Sequence, residues 1–380
     1  MGLSLDMGGL SYEWSMILLA AAALTLIAGK YLRKRPHPPQ SLTKQKQTDG
    51  NPDDVYYNIE PLRDFDVDAE EPIKARPFKP KFHMTMAIEN TSVSDLLTMD
   101  NTYRSRLNLR RQLLATVSSE VVAANARAAP AALELYTWLT QTYLPQRFPT
   151  IFTLTPTGLA NKCTAETLAL TPSSASHALH LLGAHIDAEF LLLLPSANPA
   201  DEGKYRLEAF VTCFPSGFRT RSKLGLLLAD IHGPVPHYRQ KLERSMDRFF
   251  AALGVGRVVR RWNWTVSTSG ELYCVAGNHA TAEEVEASLK TEHVDLRTTY
   301  LRCERQTLHR LPVSGAVVFA FKTYQYPMRE LRDEGSGEAL CEAIDGMATG
   351  SAPRMTVYKK QVVWGEKVKS FLRGEIEEDA

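Results

Sequence analysis

The sequence predicts an α+β fold, with one five-stranded antiparallel sheet, flanking helices, and a single transmembrane helix in front. Three observations lead to this prediction. Five segments in the second half of the chain have the length and the residue types of β-strands. Apolar residues at helical spacing lie on both sides of these segments. An apolar run near the N terminus approaches, with its flanks, the roughly 20 residues that cross a bilayer.

The predicted membrane anchor occupies residues 1–35. Residues 16–29 are apolar or small apart from the hydroxyl of Thr25, and aromatic residues flank them. A cleaved signal peptide is the alternative, but Asp6 and Glu13 precede the run and no Lys or Arg does. Basic residues follow the run, so the positive-inside rule predicts a cytosolic main domain. We therefore expect a single-pass membrane protein, located at the endoplasmic reticulum.

A proline-rich linker is predicted next, over residues 36–80. Proline recurs along this stretch, and a polar segment covers residues 44–54. Such a composition buries little apolar surface and favours an extended tether. The folded domain is then expected to cover residues 81–376.

The elements of this domain follow from the spacing of their apolar residues. Helices are predicted before the strands at 103–119 and 131–144, among them at 238–253, and after them at 328–347 and 356–376. The predicted strands are 189–194, 205–213, 259–267, 299–308 and 315–325. Helices grouped around a run of strands are typical of an α+β domain.

Charge and cysteine content exclude several classes of protein. The chain has 380 residues, with 44 basic and 43 acidic side chains and a net charge of +1. Nucleic-acid binding needs a basic surface, so this balance gives no support to it. The five cysteines are odd in number and form no CxxC pair. This pattern indicates reduced thiols, not a disulfide framework, a zinc site or an iron–sulfur cluster.

A constrained histidine stands out in the segment 230–237, which reads DIHGPVPH. Pro234 and Pro236 each fix their own φ and restrict the residue before them. A stiff loop that ends where a helix begins can hold the imidazole of His232 at one position and angle. The alternative is a structural histidine that is hydrogen bonded to backbone, which is the more common role of an isolated loop histidine.

The segment 299–310, which contains the strand predicted at 299–308, is unusual because it is polar on both sides. Polar side chains alternate between the two faces: Arg302, Glu304 and Gln306 on one, Arg305, Thr307 and His309 on the other. A sheet that buries one side seldom contains such a strand. Either it is an edge strand in solvent or it faces a polar pocket. Arg261, Asn263 and Thr265 form a similar row in the preceding strand.

Several blocks of the sequence resemble one family in order along the chain. They cover roughly residues 82–327 and include FHMTMAIENTSVSDLLTMDNTYRSRLNLRRQLL, LYTWLTQTYLPQRFPTIF, FPSGFRTRSKLGLLLADIHGPVPHYRQKLERSMDRFF, VVRRWNWTVS and YLRCERQTLHRLPVSGAVVFAFKTYQYP. The third block is the most specific. Together they resemble the α subunit of haem-dependent oxidative N-demethylase, in a form typical of fungal members.

This resemblance implies a PAS-like fold, whose five-stranded sheet agrees with the predicted strands. It also implies a monooxygenase that binds haem b, oxidises a methylamine and releases formaldehyde. NADPH would supply electrons indirectly, through a separate flavin and iron–sulfur reductase. Two alternatives stay open: a non-catalytic haem-binding sensor or carrier, and a haem-free scaffold or transferase.

From this resemblance we predict which of the histidines and polar residues form the site. His232 is predicted to be the axial ligand of the haem iron, with His237 as its rival and His185 and His309 as weaker candidates. Arg302 and Arg305 are predicted to pair with the haem propionates. Glu304 is predicted to hold the substrate ammonium or to relay a proton. The sequence leaves open which face of the strand points inward.

Overall fold

Antiparallel β-strands form the centre of the fold. The computed structural model describes residues 52–291 and 293–378. Within these residues the strands are β1 (Glu89–Thr91), β2 (Val122–Ala124), β3 (Phe152–Thr155), β4 (Gly158–Asn161), β5 (Glu166–Leu168), β6 (Glu189–Pro195), β7 (Tyr205–Val211), β8 (Val258–Ser267), β9 (Tyr300–Arg310) and β10 (Val317–Pro327). Seven of them form one sheet in the order β1-β8-β9-β10-β6-β7-β2, and β3, β4 and β5 form a second sheet.

The predicted single five-stranded, PAS-like sheet is therefore wrong in its strand count. The five predicted strands are all present as β6 to β10, and they are contiguous at the centre of the large sheet. The missed strands, β1 to β5, are only three or four residues long. Segments of that length are too short for alternation to be recognised, and tertiary contacts decide their conformation.

Helices surround the sheets on several sides. In chain order they are α1 (Tyr103–Thr116), α2 (Ser118–Val121), α3 (Ala129–Trp138), α4 (Leu144–Arg147), α5 (Ala175–His185), α6 (Leu228–Ile231), α7 (Tyr238–Lys241), α8 (Glu243–Ala252), α9 (Ala282–Thr291), α10 (Met328–Asp333), α11 (Gly337–Thr349), α12 (Met355–Tyr358) and α13 (Gln361–Leu372). A π-helical segment, Leu139–Tyr143, continues α3 into α4. Single-turn 3₁₀ helices occupy Pro52–Tyr56, Val93–Asp95, Ala126–Ala128, Pro199–Asp201, Thr220–Lys223 and Leu296–Thr298.

The large sheet buries apolar side chains on both faces, but unequally. One face carries Phe190, Leu192 and Ala320, and it packs against α1, α3 and α5 in the largest core cluster. Farther along this face, Leu301 and Cys303 pack against α11 and α13. On the opposite face, α6, α7 and α8 cover only the end near Leu308 and Val317. Beyond this end, the part of that face formed by β8, β9 and β10 is polar apart from Phe321, as described below.

Part of the predicted linker belongs to the folded unit, which runs from residue 51 to the C terminus. Tyr56, Ile59, Val67 and Ala75 are buried. The backbone carbonyl of Tyr56 accepts a hydrogen bond from the indole of Trp138 at 3.0 Å. Widely spaced apolar residues in a proline-rich stretch have no periodicity, so the sequence alone did not indicate this packing.

The predicted membrane span needs correction. No helix among residues 52–291 and 293–378 combines the length and the apolar content needed to cross a bilayer. The predicted anchor, residues 1–35, lies outside the described residues. The transmembrane helix, the membrane as a partner and the single-pass location at the endoplasmic reticulum are therefore not retained.

The chain crosses α11 at very short range, and this contact provides a test of the fold. The N–H of Phe82 donates to the carbonyl of Gly346 at 3.1 Å, and a Cβ at Gly346 would collide with the carbonyl oxygen of Pro80. Gly346→Ala should therefore lower the free energy of unfolding by about 1–3 kcal/mol through overpacking. In a helix without this contact, the same change would stabilise by up to about 1 kcal/mol.

Urea unfolding of the purified protein measures this effect. Gly254→Ala is the matched control, because a Cβ there meets no atom within 4 Å. A Gly346→Ala variant that is as stable as the parent protein would contradict the close crossing.

Candidate functional site

The polar face of the sheet is formed by side chains of β8, β9 and β10. Directly opposed residues of antiparallel strands share a face. Asn263, Glu304 and Thr323 are opposed in this way across the three strands. The rows on either side of them are likewise polar, apart from Phe321. We define the polar face as Arg261, Asn263, Thr265, Arg302, Glu304, Gln306, Thr323 and Gln325.

This face contains buried polar atoms that lack a hydrogen-bond partner among the described residues. They are Arg261 Nε, Arg302 Nε, Gln306 Oε1, Thr323 Oγ1 and Gln325 Nε2. A buried polar group without a partner costs about 1–3 kcal/mol. Such groups are rare in native proteins, and a cluster of them on one surface requires an explanation. A bound polar ligand or ordered water would complete these hydrogen bonds.

Glu304 is the only carboxylate of the polar face, and cations surround it. Its side chain is 7% exposed and accepts a hydrogen bond from Gln306 Nε2 at 2.8 Å. No Lys or Arg of the described chain forms an ion pair with it within 4 Å. Burial lowers the pKa of four cations near it, and the negative charge of Glu304 opposes this by raising the pKa of each. These cations are Lys223, Arg261, Arg302 and Lys359. The surroundings of Glu304 are therefore net positive.

Arg302 holds two loops against the sheet. Its side chain is 1% exposed, and Nη2 donates to the carbonyls of Phe214 and Pro215 at 2.8 and 3.0 Å. Nη1 and Nη2 also reach the carbonyl of Leu272 at 3.2 Å. The segment after β7 and the segment after β8 are thus joined through one guanidinium group.

A buried ion pair fixes the other side of the same loop. Arg110 of α1 and Glu189 of β6 are both fully buried and form a salt bridge. The carboxylate of Glu189 also accepts the backbone N–H of Cys213 at 2.6 Å and that of Phe214 at 3.3 Å. Glu189 therefore binds the N–H groups of the loop, and Arg302 binds its carbonyls.

Arg305, the second predicted propionate partner, points to the opposite face. Its guanidinium donates to the backbone carbonyls of Asp95 and Leu96. Consecutive strand positions alternate in direction, so Arg305 cannot join Arg302 and Glu304 around one ligand. The structure brings together Arg302 and Glu304, and it separates Arg305 from them.

The imidazole of His232 is held in one tautomer by a backbone carbonyl. It is half-buried at the end of α6, and its Nδ1 lies 2.8 Å from the carbonyl oxygen of Leu228. A carbonyl can only accept, so Nδ1 carries the proton and Nε2 keeps a free lone pair. The ring stacks on Tyr238 at a centroid distance of 4.8 Å. Desolvation lowers the pKa of His232 to about 4, which keeps the ring neutral.

His232 also lies beside the polar face. Arg261 and Lys223 both lower its pKa further through their charges. Its neighbour Ile231 packs with Leu191 and Phe210, which continue this face of the sheet on β6 and β7. The loop that carries His232 therefore covers the boundary between the polar face and an apolar region of the same surface.

The other predicted histidines are placed differently. His237 adopts a left-handed φ of 61° before α7, and its side chain does not cap that helix. His309 is on the face opposite Glu304, and its Nδ1 is 3.1 Å from the hydroxyl of Tyr56. His185 ends α5, with Nδ1 3.7 Å from a carboxylate oxygen of Glu166. None of these three forms a hydrogen bond or an ion pair with the polar face among the described residues.

Three further residues in this region were not indicated by any pattern in the sequence. His279 is half-buried, and its ring lies 4.6 Å from that of Tyr358. Burial lowers its pKa to about 3, and the charges of Lys359, Lys223 and Arg302 add to this effect. The negative charge of Glu304 raises the pKa of both Tyr358 and Lys359. These residues come from segments far apart in the chain, and no motif connects them.

The surface next to the polar face is apolar. Phe319 and Phe321 of β10 have ring centroids 5.7 Å apart. They are followed across the sheet by Leu191 and Phe210. The combined surface is apolar at one end and cationic at the other. Among the described residues no group of three or more His, Cys, Asp or Glu side chains could hold a bare metal ion.

The polar face of the sheet and the loop that carries His232 together form the candidate site. The comparison with known families is more specific. Residues 87–369 match the family described as haem-dependent oxidative N-demethylase, alpha subunit-like, and the chain belongs to this family. The resemblance inferred from sequence blocks is thereby confirmed. The family description also supports haem dependence and oxidative chemistry for its members.

The buried histidines predict a specific loss of stability in mild acid. Burial lowers the pKa of His185 and His232 to about 4 and that of His279 and His309 to about 3. Unfolded histidine titrates near 6.5. Below this pH the unfolded chain takes up protons that the folded chain does not. The stabilisation is therefore complete above about pH 6.5 and is lost progressively as the pH falls towards 4.

Urea midpoints at pH 7.5, 6.5, 5.5 and 4.5 measure this effect. His309→Gln keeps a hydrogen-bonding group opposite Tyr56 and removes one of these titrations, so its stability should depend less on pH between 6.5 and 4.5. Identical pH dependence in the variant and the parent protein would contradict the neutral state of His309.

Proposed function

We propose that this protein binds haem b at the polar face and uses it to remove an N-methyl group from an amine by oxidation. The observation that carries the proposal is the neutral His232 with a free Nε2, beside a surface that is apolar at one end and cationic at the other. Family membership supplies the chemical class.

The residues present fit a haem group. Haem combines an apolar macrocycle with two carboxylates, and its iron accepts an imidazole nitrogen. His232 would provide the axial ligand through Nε2. The guanidinium of Arg261 forms no hydrogen bond or ion pair with any residue that the structure describes, so it has donors available for a propionate. Arg302 is the less suitable partner for a propionate, because its Nη atoms already donate to four backbone carbonyls.

Bound haem supplies the centre at which dioxygen is reduced. For the amine, the overall change is R₂N–CH₃ + O₂ + 2H⁺ + 2e⁻ → R₂NH + CH₂O + H₂O. The N–CH₃ carbon–nitrogen bond is broken, the methyl carbon is oxidised to formaldehyde, and the second oxygen atom leaves as water. NADPH is the ultimate electron donor in this proposal, with a separate reductase between it and the protein.

Glu304 is suited to act on the amine in this scheme. Its carboxylate is buried in the polar face, and Gln306 Nε2 holds one oxygen at 2.8 Å. The other oxygen has no hydrogen-bond partner among the described residues. It can accept the N–H of an ammonium group or take up the amine proton, so that the nitrogen lone pair becomes available.

The proposal is tested first by haem binding and turnover. The purified full-length protein should bind added haem and develop a Soret band. With NADPH and a flavin and iron–sulfur electron-transfer system, it should release formaldehyde from a methylamine. Glu304→Gln should keep the Soret band and lower kcat by about 10²–10⁴-fold, as expected for loss of a general base.

Two outcomes would contradict this function. Absence of a Soret band would exclude haem binding. A Soret band without formaldehyde from any methylamine would favour a non-catalytic haem sensor or carrier.

The axial ligand is tested by His232→Ala beside His237→Ala. Removing an outer partner of a metal ligand typically costs about 10- to 100-fold in affinity. Losing the ligand itself should weaken haem binding at least tenfold, and it should shift the Soret band of the ferric form. His237→Ala is the matched control, from the same loop, and should change neither property. Unchanged affinity and spectrum in His232→Ala would refute the assignment, and loss of the band in His237→Ala alone would transfer it.

A further inference from the structure

Lys223 is a half-buried cation without a polar partner in the described part of the chain. It ends the 3₁₀ helix Thr220–Lys223, in the loop that covers the polar face. Its ammonium group lies over the ring of Phe218, 3.4 Å from the ring centroid. Burial lowers the pKa of Lys223 to about 8, so the group is still charged at pH 7.

The loop of Lys223 packs against the sheet, and Lys223 is within electrostatic range of three site residues. Its charge acts on His232 and on His279, and Glu304 acts on Lys223. Leu224, the next residue, packs with Phe210 and Leu207. The N–H of Gly225 donates to the carbonyl of Leu207 at 2.7 Å. Lys223 is thus held close to the proposed ligand histidine and to the proposed base.

The charges around the site do not balance. Four cations, Lys223, Arg261, Arg302 and Lys359, surround the single carboxylate of Glu304. The two carboxylates of haem would leave one positive charge in excess. A simple alkylammonium substrate is positively charged, so this excess positive charge would repel it. A substrate with a carboxylate of its own would neutralise it and would give Lys223 an acceptor.

We propose that the site takes an N-methylated amine that also carries a carboxylate, with Lys223 binding the carboxylate and Glu304 facing the amine. This proposal rests on the proposed function and names its substrate class. Lys223 belongs to the covering loop and Glu304 to the sheet, so the two charges can contact opposite ends of a small zwitterion. Arg261, in the sheet, stays available to bind a haem propionate.

Two probes that differ only in the carboxylate test the proposal. N,N-dimethylglycine and N,N-dimethylethylamine have the same dimethylamino end, and the second has a methyl group in place of the carboxylate. Equilibrium binding to the haem-loaded, full-length protein is followed by the change in its visible spectrum. The same pair is then compared in kcat/KM for formaldehyde release.

The parent protein should bind N,N-dimethylglycine about 10- to 100-fold more tightly than N,N-dimethylethylamine, as expected for a charge-assisted hydrogen bond. Lys223→Met should remove this preference, and Lys223→Arg should keep most of it. Haem affinity should be the same in all three proteins. Arg221→Met, an exposed cation of the same 3₁₀ helix, is the matched control and should keep the full preference.

Equal binding of the two probes by the parent protein would overturn the proposal. Equal weakening of both probes in Lys223→Met would do the same, as would a loss of haem affinity in that variant. Formaldehyde from N,N-dimethylethylamine without any preference would refute the substrate class and leave the demethylase function intact. Formaldehyde from neither probe, or no Soret band, would instead refute the function itself.

Discussion

One buried guanidinium group organises the proposed site. Arg302 joins the loop after β7 to the loop after β8 by donating to carbonyls of both. On the far side of the first loop, Glu189 binds two backbone N–H groups and is itself held by Arg110. Breaking a buried pair of this kind typically costs about 3–5 kcal/mol. These contacts fix the backbone where the loop begins, directly after β7. The position of the later part of the loop, which carries Lys223 and His232, depends on this fixed start.

The polar face explains how a central strand can be charged on both sides. β9 lies between β8 and β10 and has no solvent-exposed edge. On one side, Arg305 is satisfied by backbone carbonyls. On the other side, Arg261 Nε, Gln306 Oε1 and Gln325 Nε2 have no hydrogen-bond partner among the described residues. The desolvation of such groups is unfavourable unless a ligand completes their hydrogen bonds. We infer that the strand keeps these residues because the ligand, and not the protein, supplies the missing partners.

Much of this arrangement could be predicted from sequence, and the failures have physical causes. The five long strands alternate clearly, and the prolines after His232 indicated a constrained loop. The edge strands β1 and β2 are too short to show a pattern. Lys223, His279 and Lys359 meet only through the tertiary fold, so their spacing along the chain carries no signal. Alternation separated Arg302 from Arg305, but it could not tell which of them faces the site.

The most direct test of this account is the position of the iron. Crystals of the haem-loaded protein, measured at the iron absorption edge, locate the metal by its anomalous scattering. We predict an iron peak within coordination distance of Nε2 of His232, on the face of the sheet that carries Glu304 and Arg261. An iron peak bonded to His237 or His279, or one on the face that carries Arg305, would contradict it.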